Sequence, residues 1–182
     1  MVVSFPGGPA AAPGADDPLA LLSACHGRIT RQCATLARLA AHLPVHGSDE
    51  AAQTAAVSVR RYFDTAAAHH HDDEEEDLFP ALIDAMAGSD AGCLHALVRG
   101  LVDEHRRLAA LWTPLRRALS EIAAGRAAAL SAEQVQEFTQ AYAAHIQREE
   151  DELLPMAARL IADDALTAIG QAMKARRGGE AG

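Results

Sequence analysis

Aromatic residues are scarce. Four Phe, two Tyr and one Trp account for 4% of the 182 residues. So few flat side chains leave little from which to build the faces of a sheet, whereas alanine, the strongest helix former, is abundant. Cysteine is limited to Cys25, Cys33 and Cys93. An odd count without a closely spaced pair excludes a disulfide framework and fits a reducing, cytoplasmic setting. Basic charge is also short: 16 Lys+Arg against 25 Asp+Glu leave a net charge of −9. That balance repels nucleic acid and anionic membranes, so neither is an expected partner. Uninterrupted apolar runs are too short for a transmembrane helix, and the opening MVVSFPGGPAAAPGADDP has neither the basic nor the apolar region of a signal peptide.

What remains is enough for one domain with a sizeable core. Residues 1–15, rich in Gly, Pro and Ala, read as a disordered tail. Residues 16–162 read as an all-α, four-helix bundle, and residues 163–182 as a short C-terminal helix and tail. Asp16 or Asp17 before Pro18 suits a helix start. From there Leu19, Leu22, His26, Ile29, Cys33, Leu36, Ala40 and Leu43 recur in steps of three and four, ending at Pro44 and Gly47.

A second helix is expected from about 49 to Phe79, with Pro80 kinking or restarting it. A third, about 90–124, carries Leu94, Val98, Leu101, His105, Leu108, Trp112, Leu115, Leu119 and Ile122, and Pro114 should bend it. Ser131-Ala-Glu133-Gln134 opens a fourth like a capping box, with Val135, Phe138, Tyr142, His145, Glu149 and Leu153 inward. Short connections imply antiparallel neighbours in an up-down-up-down order.

Two segments repeat. His70-x-x-x-Glu74-Glu75-x-x-Leu78-Phe79-Pro80 overlays His145-x-x-x-Glu149-Glu150-x-x-Leu153-Leu154-Pro155. Residues four apart share a helix face, so each copy offers an imidazole and a carboxylate to one point. A single histidine precedes each copy on an apolar seam: His26 by 44 residues and His105 by 40. The halves therefore predict a pseudo-twofold bundle around a pseudo-twofold site.

Four imidazoles and two carboxylates buried together are costly unless a positive charge compensates them. Nitrogen and oxygen donors without thiolate suit iron or manganese and also accept zinc. The candidate ligands are thus His26, His70, Glu74, His105, His145 and Glu149. Symmetry suggests two ions, with one also compatible. Two shared carboxylates and two imidazoles supply about four donors to an ion that wants about six, leaving positions for a small ligand.

These residues, with Asp103-Glu104-His105 on the third helix, resemble the hemerythrin-like, or HHE cation-binding, domains over residues 17–160. The resemblance implies an oxo- or hydroxo-bridged centre of two iron ions. Oxygen-carrying members place two histidines four apart on the third helix, whereas Leu101 and Ala109 flank His105 here. This departure favours the four-His, two-Glu variant, which the family uses in responses to iron, oxygen, nitric oxide or peroxide.

A binding or sensing protein is the leading expectation. The alternatives are a di-iron enzyme acting on peroxide or nitric oxide, and a bundle in which metal is purely structural. No catalytic residue is assigned, and protein partners are undefined. Glu75 and Glu150 recur in both copies and suit a role behind the ligands. His69, His71, His42, His46 and His95 read as surface, Cys33 as an inert buried thiol, and Asp72–Asp77, Glu74 apart, as a solvated acidic face. Tyr142 is either packing or a phenol beside the site. Alanine-rich helices are expected to pack too closely for a substrate pocket.

Overall fold

A computed structural model describes residues 17–86 and 91–178. Every regular element among them is helical: α1 (Pro18–His46), α2 (Glu50–Asp64), α3 (Ala66–Asp72), α4 (Phe79–Ala85), α5 (Ala91–Ala123), α6 (Ala132–Arg148), α7 (Leu154–Leu160) and α8 (Asp163–Gly178). Two π-helical turns, π1 (Asp73–Leu78) and π2 (Glu149–Leu153), join α3 to α4 and α6 to α7. The expected tail over 1–15 and the last residues of the C-terminal tail lie outside the described residues.

Local chemistry sets the starts. The side chain of Asp17 accepts from the Ala20 N–H, that of Asp49 from Ala52 and that of Ser131 from Gln134, each satisfying a first-turn amide that the helix leaves unpaired. Gly47 closes α1 with a φ of 64°, a conformation that costs glycine little. Pro44 lies within the last turn of α1 rather than ending it, and α5 runs on as one helix through Pro114.

The expected second helix is not continuous: it breaks at Thr65 (φ −126°, ψ −81°) between α2 and α3. Nor does Pro80 interrupt it. Proline cannot donate to the carbonyl four residues back, and the chain responds by widening the preceding turn, with the Phe79 N–H bonded to the Glu74 carbonyl and the Leu154 N–H to that of Glu149. Both prolines sit just past such a turn, which gives a physical basis for the repeated Leu-Φ-Pro ending.

Helix α1 packs on α2 and α6, and α5 packs on the same two, so these four enclose the interior, while α8 lies against α1 and π1. One apolar cluster, containing Phe63, Leu115, Phe138 and Tyr142, fills the end toward the α1–α2 connection. A second, with Leu22, Leu78, Leu101 and Leu153, fills the other end. The titratable residues of the repeats lie between the two.

Candidate metal centre

His26 comes from α1, His70 from α3, Glu74 from π1, His105 from α5, His145 from the last turn of α6 and Glu149 from the start of π2. All six are buried. Donor atoms of His26, His70, Glu74 and Glu149 lie within 4.8 Å of one another, as do those of Glu74, His105, His145 and Glu149. Both carboxylates belong to both groups, and each group takes two imidazoles.

Within this cluster the donor atoms converge on a common volume. His26 Nε2 lies 3.1 Å from Glu149 Oε2, His145 Nε2 3.0 Å from Glu149 Oε1, His70 Nε2 3.6 Å from Glu74 Oε1 and His105 Nε2 3.4 Å from Glu74 Oε2. Yet His26 Nε2, both ring nitrogens of His70 and all four carboxylate oxygens lack a hydrogen bond of good geometry. Buried polar groups are seldom left this way. A cation among them would satisfy these atoms together, so the donor set fits the divalent ions its chemistry suggests.

Burial and mutual charge set the protonation. Desolvation, then the neighbouring Glu149, push the Glu74 carboxyl well above the usual range. Burial also opposes charge on Glu149, but the imidazoles of His105, His145 and His26 facing it outweigh that and hold the carboxyl well below the usual range. Desolvation drives His70 down to about 3. It acts on His26 and His145 too, where Glu149 together with Glu150 or Glu104 overcomes it and raises both. Without metal, the cluster thus keeps a neutral imidazole at His70 and disfavours charge on one carboxyl.

Carboxylates behind the ligands orient them. Glu150 Oε1 lies 2.6 Å from His26 Nδ1, and Glu75 Oε1 lies 2.7 Å from His105 Nδ1. Each half's second glutamate therefore holds the other half's lone histidine, fixing the tautomer and turning Nε2 inward. Glu104 Oε2 does the same for His145 Nδ1 at 2.9 Å and is itself held by Arg148 Nη1 at 2.7 Å. A Cβ on Gly100 would lie 2.7 Å from that Arg148 nitrogen, so the glycine leaves room for the guanidinium. Sequence reasoning missed this role of Glu104, because nothing local marks a carboxylate that reaches across to another helix.

Three expectations need correction. His71 is not a surface residue: its ring stacks on His105 with centroids 3.9 Å apart and planes 11° apart, and its Nε2 is buried without a hydrogen-bond partner. Desolvation holds its pKa well below the usual histidine value. Asp73 is fully buried inside the supposed solvated face, clamped by Arg176 and Arg177 of α8. The packing also leaves a cavity of about 270 Å³, with Phe63, His71, Leu108, Trp112 and Tyr142 in its wall. The small side chains of Ala67 and Ala68 also line it. Tyr142 is buried in the aromatic core against Phe63 and Phe138, and its ring centroid is 6.4 Å from that of His145.

No helix among the described residues is long and apolar enough to cross a membrane. The chain is 32% identical over 162 residues to a protein of Haemophilus influenzae described as uncharacterized, an overlap of 89% of this chain and 91% of that one. The family model of the hemerythrin HHE cation binding domain matches residues 17–157. That span holds all six buried donors and both π turns, and the chain belongs to the hemerythrin HHE cation-binding family.

Proposed function

We propose that the chain is a non-haem di-iron protein that binds or responds to oxygen, nitric oxide, peroxide or iron through His26, His70, Glu74, His105, His145 and Glu149. The sharing of both carboxylates between two four-donor groups carries this reading. His26 and His70 would hold one ion and His105 and His145 the other, with Glu74 and Glu149 within reach of both. The four long helices, taken as up-down-up-down, bring one such pair from each half. Manganese or zinc satisfies the same donors.

When bound, iron supplies a Lewis-acidic, redox-active centre with positions left for a small ligand. The protein's part is to exclude bulk water, hold Nε2 of each ring inward, and keep His70 neutral and able to ligate. The cavity beside His71 supports an exchangeable small ligand over a purely structural ion, and its size disfavours a large organic substrate.

Anaerobic reconstitution followed by metal analysis tests the assignment: about two iron ions per chain are expected, since each four-donor group suits one ion of octahedral preference. Full iron binding retained in the double variant His70→Ala, His145→Ala would remove the site. Oxygen added to the ferrous protein then separates the roles. A reversible charge-transfer band marks binding or sensing, turnover of peroxide or nitric oxide marks an enzyme, and an unchanged spectrum marks a structural ion.

A further inference from the structure

The cavity has an outer rim and an inner end of different character. At the rim, Asp64 accepts from Trp112 Nε1 at 2.9 Å and from Arg116 Nε at 2.8 Å. The buried part of the wall is Phe63, Ala67, Leu108 and Tyr142, and His71 lines the same cavity. One ring nitrogen of His71 lies within 4.8 Å of those of His105 and His145. A water molecule takes up about 30 Å³ of liquid, so about 270 Å³ admits molecules of a few atoms with their hydration.

His71 itself is poorly set to ligate the ion of His105. A metal lies in the plane of the imidazole that binds it, along the nitrogen lone pair. Two rings 3.9 Å apart and only 11° from parallel have planes that do not meet near an ion bound by either. The stacked pose instead leaves His71 beside the centre, and a neutral imidazole carries one N–H donor.

We propose that this cavity is the route by which a molecule or anion of two or three atoms reaches the centre, and that His71 donates a hydrogen bond to it on the His105–His145 side. This rests on the di-iron reading above. The matching position in the second repeat is Ile146, which packs against the apolar core and offers no donor. The ligand side of the centre is therefore single, although the ligand set is nearly twofold.

Azide, followed through its charge-transfer absorption on the diferric protein, is the probe. Ala68 is exposed and borders the cavity, so Ala68→Trp obstructs the rim without disturbing the core. It is expected to slow azide association roughly tenfold while leaving the equilibrium constant nearly unchanged. His71→Leu is expected to weaken azide binding about tenfold, the order of one lost hydrogen bond, and His71→Gln to recover part of it. Iron content and the azide-free spectrum should match the parent protein in all three.

Wild-type association rates in Ala68→Trp overturn the route, and wild-type affinity in His71→Leu overturns the hydrogen bond. Loss of one iron, or a shifted azide-free spectrum, in His71→Leu makes His71 a ligand and overturns the proposed role. A parent protein that takes up no iron overturns the di-iron reading itself, an outcome distinct from a loaded protein whose variants bind azide normally.

Discussion

In the second half of the bundle, His105 and His145 both rest Nδ1 on a carboxylate, Glu75 and Glu104 respectively. In the first half only His26 does so, on Glu150, while His70 Nδ1 is buried without a protein partner. The repeat puts Cys25 where the second half has Glu104, and Asp73 where it has Arg148. The Glu104–Arg148 pair thus has no counterpart at the matching positions, and Asp73 is instead tied to α8. The ligand pattern repeats while its supports do not, so a ligand set can look symmetric in sequence and still be stiff on one side and adaptable on the other.

The largest test of this contrast is the clamp on Asp73. Removing both cations with Arg176→Ala, Arg177→Ala leaves a buried carboxylate uncompensated, a loss of about 3–5 kcal/mol. Urea denaturation should show it, and α8 should become susceptible to limited proteolysis. Unchanged stability would mean that the first half does not depend on α8.

Phe138→Ala comes next, at about 3–4 kcal/mol from the cavity it opens. Phe138 is fully buried and meets Phe63, Trp112 and Tyr142 with ring centroids 5.1–5.6 Å away. It is where the continuous α6 of the second half supports the broken helix of the first, and a loss below about 1 kcal/mol, far under the usual core range, would contradict that.

Smaller is Glu104→Ala, which frees His145 and leaves Arg148 only its longer contact to Glu152. Iron affinity is expected to drop about 10-fold to 100-fold, the usual effect of losing a carboxylate behind a histidine ligand. Cys25→Ala at the matching position should change it far less. Equal effects in competition titrations against a chelator would abolish the proposed asymmetry.

Gly100→Ala should be mildest. The new methyl displaces the flexible end of Arg148, so iron affinity should fall less than in Glu104→Ala. A gain in helix propensity of about 0.5–1 kcal/mol offsets the crowding. An effect as large as that of Glu104→Ala would show that Arg148 cannot find another position.

Much of this was legible in the chain. The seam of apolar residues in steps of three and four marked the helices, and the capping side chains of Asp17 and Ser131 marked two starts. The two His-x-x-x-Glu copies named four residues, and the lone histidines on the apolar seams two more, that the fold buries together. What stayed hidden depends on the third dimension. The stretch Phe63-Asp64-Thr65-Ala66 contains neither glycine nor proline, so nothing local announces the break between α2 and α3. Asp73 looks like any member of an acidic run until Arg176 and Arg177, about a hundred residues away, fold onto it. Those two basic residues near the chain's end were the available hint, since a clustered positive pair in an acidic protein calls for an acidic counterpart.

The π turns carry a consequence in angle. Along each repeat the buried positions recur at every fourth residue: His70, Glu74, Leu78 and Leu82, then His145, Glu149, Leu153 and Ala157. In an α-helix of 3.6 residues per turn each such step overshoots by about 40°, so three steps would carry the last residue about 120° off the inner face. A π turn winds fewer degrees per residue and takes part of that drift back. Pro80 and Pro155 therefore act as phase correctors, keeping ligand and wall on one line. Deleting a single residue from either turn would let it close as ordinary α-helix with Leu82 or Ala157 still inward, since eleven residues at about 100° each end only about 20° past three full turns.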